Sequence, residues 1–129
     1  REVARRKPVF LDEGLTGLSV LPVAGSQGWS GLALKTCKGH SLALTAAAWA
    51  LRNGLDITVQ DLTNPGLAAI HNALLAAHLP TRNGVEVNSP QYTPEANSAW
   101  LPRMSGLFEP RDGVHRIEDP EADGLGSTL

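Results

Sequence analysis

The chain has 129 residues, 42% hydrophobic and 19% charged, with a net charge of −2. That is the composition of one globular domain, not of a disordered segment, and it lacks the basic surface that nucleic acid requires. No apolar run approaches the ~20 residues of a membrane span, no signal-peptide pattern opens the chain, and a lone Cys37 excludes an internal disulfide. The chain therefore reads as cytoplasmic, with neither nucleic acid nor a membrane as partner.

The opening REVARRK places Arg1, Arg5, Arg6 and Lys7 ahead of Pro8. Basic residues followed by proline mark a helix C-terminus, so the chain is expected to open on the end of a helix that begins upstream. PVFLDE at 8–13 predicts a strand. GLSVLPVAGSQGW follows as a helix or loop weakened by Pro22 and Gly25. GLALK at 31–35 predicts a second strand, closed by TCKGH. Ser41 offers an N-cap to LALTAAAWALRN, an Ala- and Leu-rich helix that Gly54 stops.

LDITVQD at 55–61 is β-branched and predicts a third strand. Asn64 and Pro65 supply N-cap and first-turn positions for the helix GLAAIHNALLAAHL, which ends at Pro80. GVEVN at 84–88 predicts a short fourth strand, and Thr93 and Pro94 open a helix near 94–105. A tail of little periodicity follows. Strands alternating with helices of this length imply crossover connections and parallel pairing. The mostly apolar strands suit burial on both faces.

Polar residues recur where each strand ends. Asp12 and Glu13 close the first, Lys35 the second, Gln60 and Asp61 the third, Glu86 and Asn88 the fourth. In a parallel α/β architecture those ends face one mouth, where active sites form. Carboxylates are hard oxygen ligands suited to magnesium. A lysine beside such a site has its ammonium disfavoured by burial and by the metal's charge, so its pKa is expected to fall towards that of a working base. Asp12 and Lys35 would then suit proton abstraction beside a substrate carboxylate; a plain Asp12–Lys35 ion pair is the simpler alternative.

FLDEG, followed by GLALKTCKG with Lys35 twenty-three residues after Asp12, resembles the mandelate racemase/muconate lactonizing group of the enolase superfamily. The resemblance implies the C-terminal half of a TIM-type (β/α) barrel. About four parallel βα units would occupy 1–105, and a C-terminal tail over 106–129 would return towards a missing capping domain. It further implies that Asp12 is a magnesium ligand and Lys35 the acid or base. GVEVNSP, with Glu86 four residues before Pro90, resembles the family's eighth strand and makes Glu86 the second catalytic candidate. Glu13, Asp61 and Asn88 become substrate or supporting residues. The closing DGLGSTL resembles the family's Gly-Leu-Gly tail.

Two departures stand beside the likeness. Asp61 precedes Gly66 by five residues, one more than the family pattern. The family's Lys-x-Lys and its other metal ligands have no counterpart here, so Mg2+ is expected only in a complete parent. The implied parent abstracts the α-proton of a small carboxylate substrate, as a racemase, dehydratase or cycloisomerase, and is expected to be a homo-oligomer. The alternative is a stand-alone α/β binding or interaction module without catalysis.

Other residues carry weaker suggestions. Cys37 lies between Lys35 and Lys38, with His40 as the nearby base that a thiol enzyme would need. His71 and His78 are seven apart and share a helix face, where packing explains them better than zinc. Trp29, Trp49 and Trp100 read as packing mass. Gln91 and Tyr92 join Asn88 as loop residues near the mouth, and His115 lies in a charged tail.

Overall fold

The computed structural model describes residues 2–117. Strands β1 (Phe10–Leu11), β2 (Gly31–Leu34) and β3 (Asp56–Val59) form a parallel sheet in chain order. Helix α1 (Leu21–Gln27) follows β1, α2 (His40–Arg52) follows β2, and α3 (Leu67–Ala77) follows β3. The fold is mixed α/β, as the alternation predicts, with strands shorter than their apolar runs.

Register sorts the two sheet faces. Phe10 lies opposite Gly31, and Gly31 opposite Asp56. On one face Leu11, Leu32, Leu34, Ile57 and Val59 pack against Ala46, Ala47 and Ala50 of α2 and Ala76 of α3. The alanines keep the helix surface flat, so α2 rests close on the strands. On the other face lie Gly31, Ala33 and Thr58, all buried. A Cβ on Gly31 would strike the Phe10 ring and stand 2.5 Å from the Asp56 carbonyl oxygen. Only glycine lets the Phe10 ring and β3 come this close to β2.

Both expected helix caps are replaced. Ser41 lies inside α2, whose cap position is Gly39. Gly39 has φ +112, a conformation that favours glycine. Asn64 and Pro65 stay outside α3, which starts after Gly66 at φ +59. The Gly66 N–H donates to Asn97 Oδ1 at 2.8 Å, so a distant buried side chain anchors the residue from which α3 starts. In α1 the expected weakness is absorbed, because Pro22 falls in the first turn and Gly28 closes the helix in the left-handed region.

The fourth strand shrinks to one parallel bridge, Val59 to Val85, with Glu86 N donating to Val59 O at 3.0 Å. The cause lies at Asn88, whose N–H donates to Asp61 Oδ2 at 2.9 Å and leaves the ladder. The chain turns directly into α4 (Ser89–Tyr92). A 3₁₀ helix over Pro94–Trp100 then runs into α5 (Leu101–Phe108) in place of one regular helix. Pro102 enters the first turn of α5 and Met104 departs from helical geometry. Met104, Leu107 and Phe108 pack on Ala69, Ile70 and Ala73 of α3 as a second core. Residues 106–108 thus belong to α5, while DGLGSTL lies outside the described residues. No helix among the described residues is long and apolar enough to cross a membrane.

Candidate functional site

Lys35 leaves the end of β2 with extended backbone, φ −140 and ψ 120. Its side chain is 2% exposed, and its Nζ stands 2.6 Å from Asp12 Oδ1 and 2.6 Å from Glu13 Oε1. The acid pair that ends β1 thus meets the lysine that ends β2. Asp12 Oδ1 lies at bonding distance but off the preferred direction, so Glu13 accepts the better-directed hydrogen bond. From the 3₁₀ turn Thr36–Lys38, Lys38 Nζ donates to the Asp12 and Leu15 carbonyl oxygens at 3.3 and 3.4 Å. It also stands 3.8 Å from Glu13 Oε2.

Burial alone would lower the Lys35 pKa. The hydrogen bonds and charges of Asp12 and Glu13 outweigh it and hold the pKa above its ordinary value. The expected fall towards a working base is therefore reversed: two carboxylates face one ammonium, and Lys35 is covered near the surface instead of sunk in the core. Glu13 is held below its usual range, first by the Lys35 hydrogen bond and then by the Lys35 charge.

The register carries the other strand ends to the same face. Leu34 pairs with Val59, and Val59 with Val85; one residue further on, Lys35, Gln60 and Glu86 fall in line. Asp12 lies on that face with Phe10, since side chains alternate along a strand. Phe10, Thr58, Gln60, Asn83, Val85 and Glu86 line an adjoining cavity of about 280 Å³. Glu86 is exposed, and its Oε1 accepts from Asn88 Nδ2 at 3.0 Å. Among the described residues its partner is Asn88, not Lys35.

Asp61 is 4% exposed and spends both oxygens on backbone. Oδ1 accepts from Thr63 N at 2.6 Å and Oδ2 from Asn88 N at 2.9 Å. The first bond supports Thr63 at φ +62, an uncommon conformation for a β-branched residue. Asp61 shapes the loops around the site from behind.

Three groups escaped the sequence reading. Asn72 of α3, 1% exposed, bonds the ends of β2 and β3; nothing local distinguishes it from a surface polar residue on a helix. Lys38 joins the acid pair only because the 3₁₀ turn folds it back. His71 pairs across the fold with His40, Nδ1 to Nε2 at 3.1 Å, while His78 bonds the Leu74 carbonyl on its own helix. His40 is therefore engaged by His71, and Cys37 is exposed.

Among the described residues no group of three or more His, Cys, Asp or Glu is placed to hold a metal ion. The two carboxylates that converge are both met by the Lys35 ammonium. The donors among the described residues do not fit the octahedral oxygen set that magnesium demands. Compared with protein-family models and with curated proteins, the chain finds no significant match.

Proposed function

We propose that the chain is the C-terminal half of a (β/α) barrel enzyme resembling the mandelate racemase/muconate lactonizing group, acting at the α-carbon of a small carboxylate substrate. The observation that carries this reading is Lys35, enclosed at the end of β2 and in contact with both acids that end β1. Parallel strands in chain order support it, because successive barrel strands are neighbours. The shared face of Lys35, Gln60 and Glu86 supports it too, with Gln60 and Glu86 lining a cavity beside it.

Lys35 is the proton-transfer group in this reading. Its raised pKa keeps Nζ protonated and its proton tightly held, which suits attraction of a substrate carboxylate. Transfer of that proton requires Asp12 and Glu13 to be drawn off Lys35 in the complete parent. Glu86, exposed on the same face, is the second candidate to touch substrate. Asp61 and Asn88 hold the loops that frame the cavity. Magnesium belongs to the complete parent, for which Asp12 is one donor; no proton step is assigned to it. Racemisation, dehydration and cycloisomerisation share the first proton abstraction, and the parent is a homo-oligomer.

The test is exchange of the substrate α-proton with solvent deuterium, followed by NMR, in the parent and in Lys35→Ala. Loss of exchange with the fold retained supports the reading. Exchange at the parental rate removes Lys35 as acid or base. One observation favours a stand-alone module instead: both acids face Lys35 in a pair that raises its pKa, as in a structural clamp. An open frame upstream of Arg1 encoding Lys-x-Lys and further strand-end acids would exclude that module.

A further inference from the structure

Where β2 and β3 end, one rung of their ladder is replaced by a side chain. In a parallel pair, a residue donates to one neighbour of its partner and accepts from the other, so the bonds are evenly spaced. Leu34 pairs with Val59, which sets Lys35 opposite Gln60. Gln60 N donates to Leu34 O at 2.9 Å, and the next rung in sequence would run from Thr36 N to Gln60 O. Instead Thr36 N donates to Asn72 Oδ1 at 2.9 Å, and Asn72 Nδ2 donates to Gln60 O at 3.0 Å. The Asn72 amide carries an acceptor on one side and a donor on the other, as a peptide group does. It is spliced between the two groups that would otherwise bond each other.

The splice has a direct neighbour in Lys35. Thr36 Oγ1 also donates to Asn72 Oδ1, at 2.8 Å, so Asn72 holds both the backbone and the side chain of the residue after Lys35. That grip starts the Thr36–Lys38 turn, closed by Gly39 N donating to Thr36 O at 2.9 Å. The turn brings Lys38 back onto the Asp12 and Leu15 carbonyls. With the direct rung restored, β2 would run on extended through Thr36, the turn would be lost, and Lys38 would leave the acid pair beside Lys35.

We propose that Asn72 is the positioning residue for Lys35: its amide parts β2 from β3 immediately after Lys35 and fixes the path of that side chain towards Asp12 and Glu13. The importance of that placement for catalysis rests on the function proposed above; the placement itself does not.

The experiment uses the 15N-labelled full chain and its Asn72→Ala variant, with two readouts: the Lys35 ammonium line in proton–nitrogen NMR, and the urea midpoint. Positioning predicts that folded Asn72→Ala exchanges its Lys35 ammonium protons about tenfold faster, the scale of one lost buried hydrogen bond. The line itself is expected to move towards that of a free lysine. A folded variant with the wild-type Lys35 line, and the loss confined to the urea midpoint, would overturn the proposal and leave Asn72 a structural bond only. If Asn72→Ala does not fold, Asn72→Ser carries the same test, since its hydroxyl can serve one of the two backbone groups without bridging both. Failure of the enzyme reading appears in α-proton exchange of the parent, and leaves this ammonium measurement unaffected.

Discussion

Lys35 keeps its charge in a covered position because two carboxylates meet it, and those partners are 38% and 69% exposed. Water therefore screens the pair, and its contribution is modest and salt-sensitive. The signs define its pH range. Lys35 is raised, so its contribution is complete below about pH 10.5 and is lost as pH climbs through the raised value. Glu13 is lowered, so its contribution is complete above about pH 4.5 and is lost as pH falls through the lowered value. Urea midpoints of wild type and Lys35→Met should differ most at neutral pH and converge at both extremes. Equal midpoints throughout would mean that the pair contributes nothing to stability. Gly31 makes a second prediction at this scale. Gly31→Ala should destabilise by about 1–3 kcal/mol through overpacking. Adding Phe10→Leu should not restore the loss, because the Asp56 carbonyl, 2.5 Å from the new Cβ, is backbone.

At the scale of elements, α2 presents two faces of opposite tolerance. Ala43, Ala46, Ala47 and Ala50 are buried, while Leu44 and Leu51 are 54% and 44% exposed. Small residues face the sheet, Trp49 packs at its margin, and Leu44 and Leu51 face outward. Ala46→Leu is expected to cost about 1–3 kcal/mol by forcing α2 off the strands. Leu44→Gln should change stability by less than about 0.5 kcal/mol. Thermal melts of the two variants check the pair, and a tolerant Ala46→Leu would contradict the close packing described. The shortening of the fourth strand also belongs to this scale. Val85 and Val87 have strand-like alternation, yet the Asn88 N–H goes to Asp61, so a loop contact ends pairing after one bridge.

Considered whole, the sheet among the described residues leaves β1 without a strand on its outer side, and its other edge carries one bridge. Unpaired edges are templates for association. The chain by itself is expected to self-associate as its concentration rises, which sedimentation velocity reads directly; a monomer at every concentration would count against the half-barrel reading. Magnesium makes the other test at this scale. Affinity follows ligand number and geometry, and the convergent donors here are Asp12 and Glu13, both engaged by Lys35. Calorimetry should show no tight one-to-one site in the 129-residue chain. Such a site would require the acids to leave Lys35.

The sequence by itself determined the alternation of strands and helices, their parallel pairing and the gathering of Asp12, Glu13 and Lys35 at strand ends. These follow from local properties: hydrophobic period, proline and glycine punctuation, and the direction imposed by crossovers. Tertiary structure alone decided the helix caps, the length of the fourth strand, the roles of Asn72, Asn97 and His71, and the direction of the Lys35 pKa shift. Each of these depends on which distant group satisfies a buried donor, acceptor or charge. Thr36 and Asn72, or Gly66 and Asn97, are separated by more than thirty residues, beyond the reach of any local pattern. The ammonium of Lys35 was legible as a candidate; whether burial or its two carboxylates would prevail depended on how near the surface the fold leaves it.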